Sequence, residues 1–367
     1  MSVPTIAFFG NKGVGKTFLV YHLAWMYIDL GMRVAVTDLD PQANLTAAFL
    51  SDERLERLWP DGEHPLTIFG CVRPLKRGIG DIAGPHLEYI KMTPEETELF
   101  PTNEEPTPLA LLPGDMLLLE FEEQLSEVWP KCMGDDEHAF RVTSAFWRIM
   151  QNAAHAHQAD LILTDLGPNL GAINRSALIA ADYVVVPLVP DIFALQGLRY
   201  LGSARRRWQT QWNERLRHNP AKDSELPSGA MHPLGYIVLQ HAERLYRPAK
   251  VFQRQIARIP EAYRTYFLDE IGNSDISVRD DPLCLSFLRN YVSLMPLAYE
   301  ARKPIFHLKP ADGAIGAYFR AVQQSCKDFK QLALKIAEKA SMPPSARIRK
   351  DLLSNSESGI LSYTQSV

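Results

Sequence analysis

Cysteine is scarce. The 367 residues hold four, Cys71, Cys132, Cys284 and Cys326, and no two form a C-x-x-C pair. That spacing gives a zinc site or a redox dithiol little support, and reduced cysteines in a cytosolic protein are expected. Long apolar runs are missing too. No stretch is long enough to span a bilayer, and the start shows no basic segment running into an apolar one. A cytoplasmic location is therefore expected. Charge of one sign is also lacking: the net charge is −4, with no global pull towards nucleic acid or anionic lipid. Any such binding has to come from a local basic patch. No internal repeat is visible. Apolar content of 46% and charged content of 22% describe an ordinary folded chain with a full-sized core. Its length allows one large α/β domain with insertions or two modest ones.

The chain opens with a βαβ pattern. Residues 4–10 read as a short buried strand ended by glycine. Residues 16–30 carry Leu19, Leu23, Met26 and Leu30 at helical spacing, with Gly31 as the stop, and residues 32–38 form a second strand. Such a unit usually builds a parallel sheet. The pattern breaks over 52–108, rich in proline and acid, which reads as a long insertion with short elements or as a partly disordered loop. Order returns with a strand at 109–113 and a helix at 115–128. Helices are then expected at 138–157, 171–181, 193–217, 248–258, 281–289 and 312–340. Strands are expected at 160–165, 183–188, 234–240 and 292–297. This alternation predicts an α/β fold, a doubly wound, mostly parallel sheet with helices on both faces and ligands at the carboxyl ends of its strands. We expect one domain over residues 1–340 and a loose polar tail over 341–367.

Residues Gly10-Asn11-Lys12-Gly13-Val14-Gly15-Lys16-Thr17 match the phosphate-binding pattern G-x-x-x-x-G-K-[ST], after a strand and opening a helix. Glycines let backbone N–H groups curl round phosphate oxygens, and the helix N-terminus adds positive potential. Lys16 is placed to reach the β- and γ-phosphates and Thr17 to put its hydroxyl on Mg²⁺, with Phe18 next in the helix. The alternative is a plain glycine turn between strand and helix.

With that loop in place, the sequence resembles the ParA/MinD family of P-loop ATPases. The similarity rests on Asn11 to Thr17, on Asp38-Leu-Asp-Pro-Gln-Ala-Asn44, on Asp165-Leu-Gly-Pro168, on Asn174 to Asp182 running into Pro187-Leu-Val-Pro190, and on Ala301-Arg-Lys-Pro-Ile305. It covers about residues 4–50 and 109–338 and leaves out the insertion and the tail. The resemblance implies ATP and Mg²⁺ as cofactors. It implies that Asp40 orients the attacking water beside the γ-phosphate, that Asp38 supports the Mg²⁺ shell, that Asp165 holds a Mg²⁺ water, and that Gly167 allows a switch. It also places Gln240, Pro296, Leu297 and Ala298 along the adenine. Asp38 and Asp40 could instead end a strand and cap the next turn, and the adenine positions could merely pack.

One departure stands out. The family's loop reads K-G-G-x-G-K-T, with a signature lysine five residues before the phosphate lysine, whereas Lys12 is four before Lys16. Either Asn11 fills the signature position and Lys12 replaces a glycine, or one glycine is missing and Lys12 keeps the role in a tighter loop. The signature lysine reaches the partner's phosphates across a dimer, so Lys12 joins Lys16 and Asp40 as a candidate catalytic group.

The resemblance further implies an ATP-dependent homodimer, non-specific DNA binding and a ParB-like or other partner protein. It would place a DNA surface at Arg205, Arg206, Arg207, Arg215 and Arg217, late in one helix, and at Arg254 and Arg258, four apart on another. A solvated helix face, helped by Glu214, is the competing reading. The phosphate loop begins at residue 10, so no DNA-reading domain is expected ahead of it. The tail segment 348–354 has too short an apolar face for a membrane helix, and membrane binding is not expected. Three functions stay open: a switch that positions DNA or another cargo, an ATP-dependent ligase, and a regulator or effector in another system such as defence.

Overall fold

A computed structural model describes residues 2–91, 107–222, 225–239, 249–270 and 276–342. β1 (Thr5–Phe8) leads through the phosphate loop into α1 (Lys16–Asp29) and β2 (Val34–Asp38). Gly31, with φ of 80°, ends α1 as expected. Then come α2 (Asn44–Phe49), α3 (Asp52–Leu58), α4 (Ile68–Lys76), β3 (Glu88–Ile90), β4 (Leu109–Leu112), α5 (Leu119–Lys131), α6 (Glu137–Thr143) and α7 (Ala145–His157). β5 (Leu161–Asp165), α8 (Ala172–Ile179), β6 (Tyr183–Leu188), α9 (Ile192–Leu216), β7 (His232–Leu239), α10 (Ala249–Ala262), β8 (Cys284–Leu288), α11 (Met295–Ala301) and α12 (Ala317–Lys339) complete the order.

The strands form one eight-stranded sheet, ordered β3-β4-β2-β5-β1-β6-β7-β8. All neighbours pair in parallel except β3 and β4. Side chains alternate between faces with period two, so each strand feeds two cores. Ile6, Phe8, Val34, Val36, Leu161 and Leu163 pack beneath α1, α2 and α12. Ala7, Phe9, Ala35, Ile162, Val184 and Val186 pack beneath α5 to α9. This is the doubly wound α/β architecture expected. Parallel register aligns the carboxyl ends, with Phe8 and Asp38 each opposite Asp165. Phosphate loop and acids therefore meet on one edge. No helix among the described residues is long and apolar enough to cross a membrane.

Three local expectations fail. The segment 281–289, expected as a helix, is strand β8, and 292–297, expected as a strand, is a 3-10 turn entering α11. Pro296 sits in the first turn of α11, where its missing N–H costs nothing, whereas in a strand it would remove a ladder bond. The helix expected over 138–157 is two, because Ser144 intervenes and its Oγ donates to the Phe140 carbonyl at 2.7 Å. The insertion does hold short elements: α3, α4 and the antiparallel edge strand β3. Residues 343–367, most of the expected tail, lie outside the described residues.

Candidate nucleotide site

The loop between β1 and α1 turns on two glycines in the left-handed region, Gly13 and Gly15, both with φ of 76°. No side chain caps the N-terminus of α1. Its first N–H groups therefore face the loop's concavity, an arrangement that suits an anion. Lys16 is buried and donates to the carbonyls of Gly10 (2.9 Å) and Asn11 (3.0 Å). Burial pushes its ammonium below the usual lysine range, against the pull of Asp165 and Asp40.

Thr17 Oγ1 donates to Asp165 Oδ2 at 2.6 Å. Asp165 is fully buried, and its other oxygen, Oδ1, has no hydrogen-bond partner. An orphaned carboxylate oxygen this deep is costly unless a cation or its water takes it. Beside it, Asp38 Oδ2 accepts from the Thr46 N–H (2.9 Å) and hydroxyl (2.8 Å), and Asp38 Oδ1 from the Asp40 N–H (3.2 Å). Asp40 Oδ1 accepts from the Gln42 N–H at 3.0 Å. Gly167 lies against Asp40: a Cβ there would stand 3.4 Å from Asp40 Oδ1. The segments after β2 and β5 thus touch at the proposed water position. Among the described residues no group of three or more His, Cys, Asp or Glu is arranged to hold a metal by itself. A Mg²⁺ carried by phosphates needs only a hydroxyl and a water-bridged carboxylate, which Thr17 and Asp165 supply.

The remaining expected residues divide. Asn11 packs against α9, donating from Nδ2 to the Phe193 carbonyl at 3.4 Å and lying directly against Gly197. Lys12 is exposed, and Val14 is buried. A cavity of about 190 Å³ beside Thr17 and Phe18 is lined by Ala298, but neither Pro296 nor Leu297 lines it. Gln240 lies outside the described residues.

On the basic surface, two expectations are corrected. Arg205 and Arg215 are buried. Arg205 donates to the Phe267 carbonyl (3.3 Å), and Arg215 donates to the Trp129 carbonyl (2.9 Å) while stacking on that indole. Both guanidiniums are spent on the fold. Arg206 is half-buried, bonded to the Tyr266 carbonyl at 2.7 Å. Arg207, Arg217, Arg254 and Arg258 are exposed. Sequence reasoning missed Thr46 and Gly114, which support Asp38 from a helix and a loop that no motif flags.

A glycine-turned phosphate loop, a buried lysine and a threonine-carboxylate pair at the edge of a parallel sheet define a P-loop nucleotide-binding protein. Comparison with known proteins narrows the class. The AAA domain profile AAA_31 matches residues 3–218, more than half of the chain, and the chain belongs to that family. Within it, the chain is of the ParA/MinD type of P-loop ATPase. The sporulation initiation inhibitor protein Soj of Bacillus subtilis is 26% identical, over 67% of this chain and 80% of Soj. IncC of Escherichia coli is 29% identical over 51% of this chain and 41% of IncC. MJECL24 of Methanocaldococcus jannaschii is matched over 60% of its length, so the chain spans about half the length of these last two relatives. Among solved structures, protein DIP2308 of Corynebacterium diphtheriae superposes with a TM-score of 0.61 at 21% identity, covering 92% of this chain and 98% of that one. McdA of Cyanothece, solved as an ATP complex, gives 0.53 at 12% identity, covering 94% and 99%. At these identities the structures establish a shared fold.

Proposed function

We propose that this chain binds ATP with Mg²⁺, hydrolyses it slowly, and uses ATP-dependent dimerisation to position DNA or another cargo. The observation that carries the reading is the Thr17 hydroxyl, 2.6 Å from a buried Asp165 whose second oxygen has no protein partner. Bound Mg²⁺ would spread charge from the β- and γ-phosphates. Thr17 would hold it, Asp165 would accept from its water, and Lys16 would leave the loop carbonyls for phosphate oxygens. Asp40, anchored through its own N–H and beside Gly167, would accept a proton from the attacking water. Lys12, exposed on the loop, is free to face a second copy.

The test is ATP binding and turnover in parent and Lys16→Ala. The parent should bind ATP only weakly without Mg²⁺, and the variant should lose binding. Undiminished affinity in the variant would sink the assignment.

For DNA, Arg207, Arg217, Arg254 and Arg258 are the groups the fold leaves exposed. Binding to duplex should require ATP, fall steeply with salt, and weaken for all sequences alike when these four are replaced. Absence of binding at low salt with ATP would favour a second reading, an effector with a private partner. One observation supports that reading: the insertion, which the resemblance does not cover, is hydrogen-bonded into the site.

A further inference from the structure

The insertion between β2 and β4 reaches Asp40 through a chain of hydrogen bonds with Thr46 at its centre. Thr46 is fully buried on α2. Its N–H and hydroxyl both donate to Asp38 Oδ2, at 2.9 and 2.8 Å, and its hydroxyl oxygen accepts from the Gly114 N–H at 2.8 Å. The direction is fixed, because an amide N–H can only donate and the single hydroxyl proton must then go to the carboxylate. On one side, Asp38 Oδ1 accepts from the Asp40 N–H. On the other, the Gly114 carbonyl accepts from the Trp59 indole at 3.1 Å, and Trp59 caps α3 in the insertion. The next residue, Asp115, is fully buried and binds His64 Nδ1 (2.8 Å) and Thr67 Oγ1 (2.6 Å), also of the insertion. Gly114 has no substitute: a Cβ there would lie 2.8 Å from Asp38 Cγ.

We propose that Thr46 is a positioning residue for hydrolysis, setting Asp38 and through it Asp40, and tying that setting to the place of the insertion segment 59–67. The inference rests on the ATP-hydrolysing reading of the site. A carboxylate turns easily about its last torsion, which has broad wells. Two donors on Oδ2 hold Asp38 in one orientation and leave Oδ1 for the Asp40 N–H. Without them the carboxylate rotates and Asp40 loses its anchor. Ground-state phosphate contacts, made by the loop, are untouched, so the loss falls on turnover and not on binding.

Thr46→Val keeps the shape and the amide but removes the hydroxyl, and Thr46→Ser restores it. With saturating Mg-ATP, Thr46→Val should lose kcat roughly ten- to hundredfold with KM within about twofold, while Thr46→Ser stays within about threefold of the parent. In nucleotide-free protein, amide exchange at Gly114 should quicken in Thr46→Val and not in Thr46→Ser. A Thr46→Val enzyme with parental kcat, or a serine variant as slow as the valine one, overturns the proposal. So does unchanged exchange at Gly114. If Thr46→Val does not fold, Trp59→Phe decides, since it removes the indole donor and keeps an aromatic ring in its place: a several-fold fall in kcat at constant KM supports the link, and parental kcat overturns it. A parent without ATP turnover overturns the reading of the site and this proposal together, whereas an active parent with an equally active Thr46→Val overturns the proposal alone.

Discussion

Asp38 and Asp165 stand opposite each other on adjacent parallel strands, both fully buried, with Lys16 as the nearby cation. Burial pushes both carboxyls above the usual aspartate range; the neighbouring Asp38 raises Asp165 further, and Asp40 raises both. Two acids this close, this deep, cost stability in the absence of a compensating cation. Such an arrangement is retained where it serves a ligand.

Asp165→Asn should therefore raise the nucleotide-free melting temperature, because a neutral amide avoids the cost of either ionising or protonating a carboxyl buried beside Asp38, while keeping an acceptor for Thr17. The same change should reduce Mg²⁺-dependent ATP affinity. Thermal melting and ATP titration with and without Mg²⁺ check both halves, and a variant less stable than the parent would mean that Asp165 is structural.

Asp40→Ala should keep ATP binding and stop turnover, trapping an ATP-bound dimer. Gel filtration with ATP would show the dimer persisting after the parent's has decayed. Hydrolysis at the parental rate would show that Asp40 does not orient the water.

Lys12→Ala should bind ATP almost normally but lose ATP-dependent dimerisation, hydrolysis or both. Lys12 is exposed on a loop whose Gly10 and Asn11 carbonyls are held by Lys16. A variant that dimerises and turns over like the parent would show that this chain's loop no longer uses a signature lysine.

His22 gives a pH dependence of stability. Its Nδ1 donates to the Phe18 carbonyl (2.7 Å) and its Nε2 accepts from the Ile305 N–H (3.2 Å), so the neutral ring is fully satisfied. Burial pushes the imidazole down to about 3. The unfolded chain takes up this proton near pH 6.5 and the folded one does not, so the contribution is complete above about pH 6.5 and is lost as pH falls towards 3, amounting to roughly 2 kcal/mol by pH 5. The parent's melting temperature should fall more steeply between pH 7 and 5 than that of His22→Gln. Parallel curves would count against it.

The phosphate loop, the acids after β2 and β5 and the first two strands were legible because each is a short, continuous pattern. β8 was not. Residues 283–288 are a brief, mostly apolar run, and periodicity alone does not separate a buried edge strand from a helix turn at that length. Pro296 carried a usable signal, since proline opens a helix more readily than it sits in a sheet. The burial of Arg205 and Arg215 could not be read, because their partners are carbonyls of Phe267 and Trp129, far away in sequence. Thr46 follows Asp38 by eight residues, and only the turn of the chain into α2 brings its hydroxyl back to that carboxylate.

β3 has a bearing on self-association. Pairing antiparallel with β4, it ends the parallel series after three residues, and Arg54 clamps Glu88 from α3. A long bare border at β4 would offer a template on which another chain's backbone could zip. The short, charged strand laid there gives such growth little purchase on that flank.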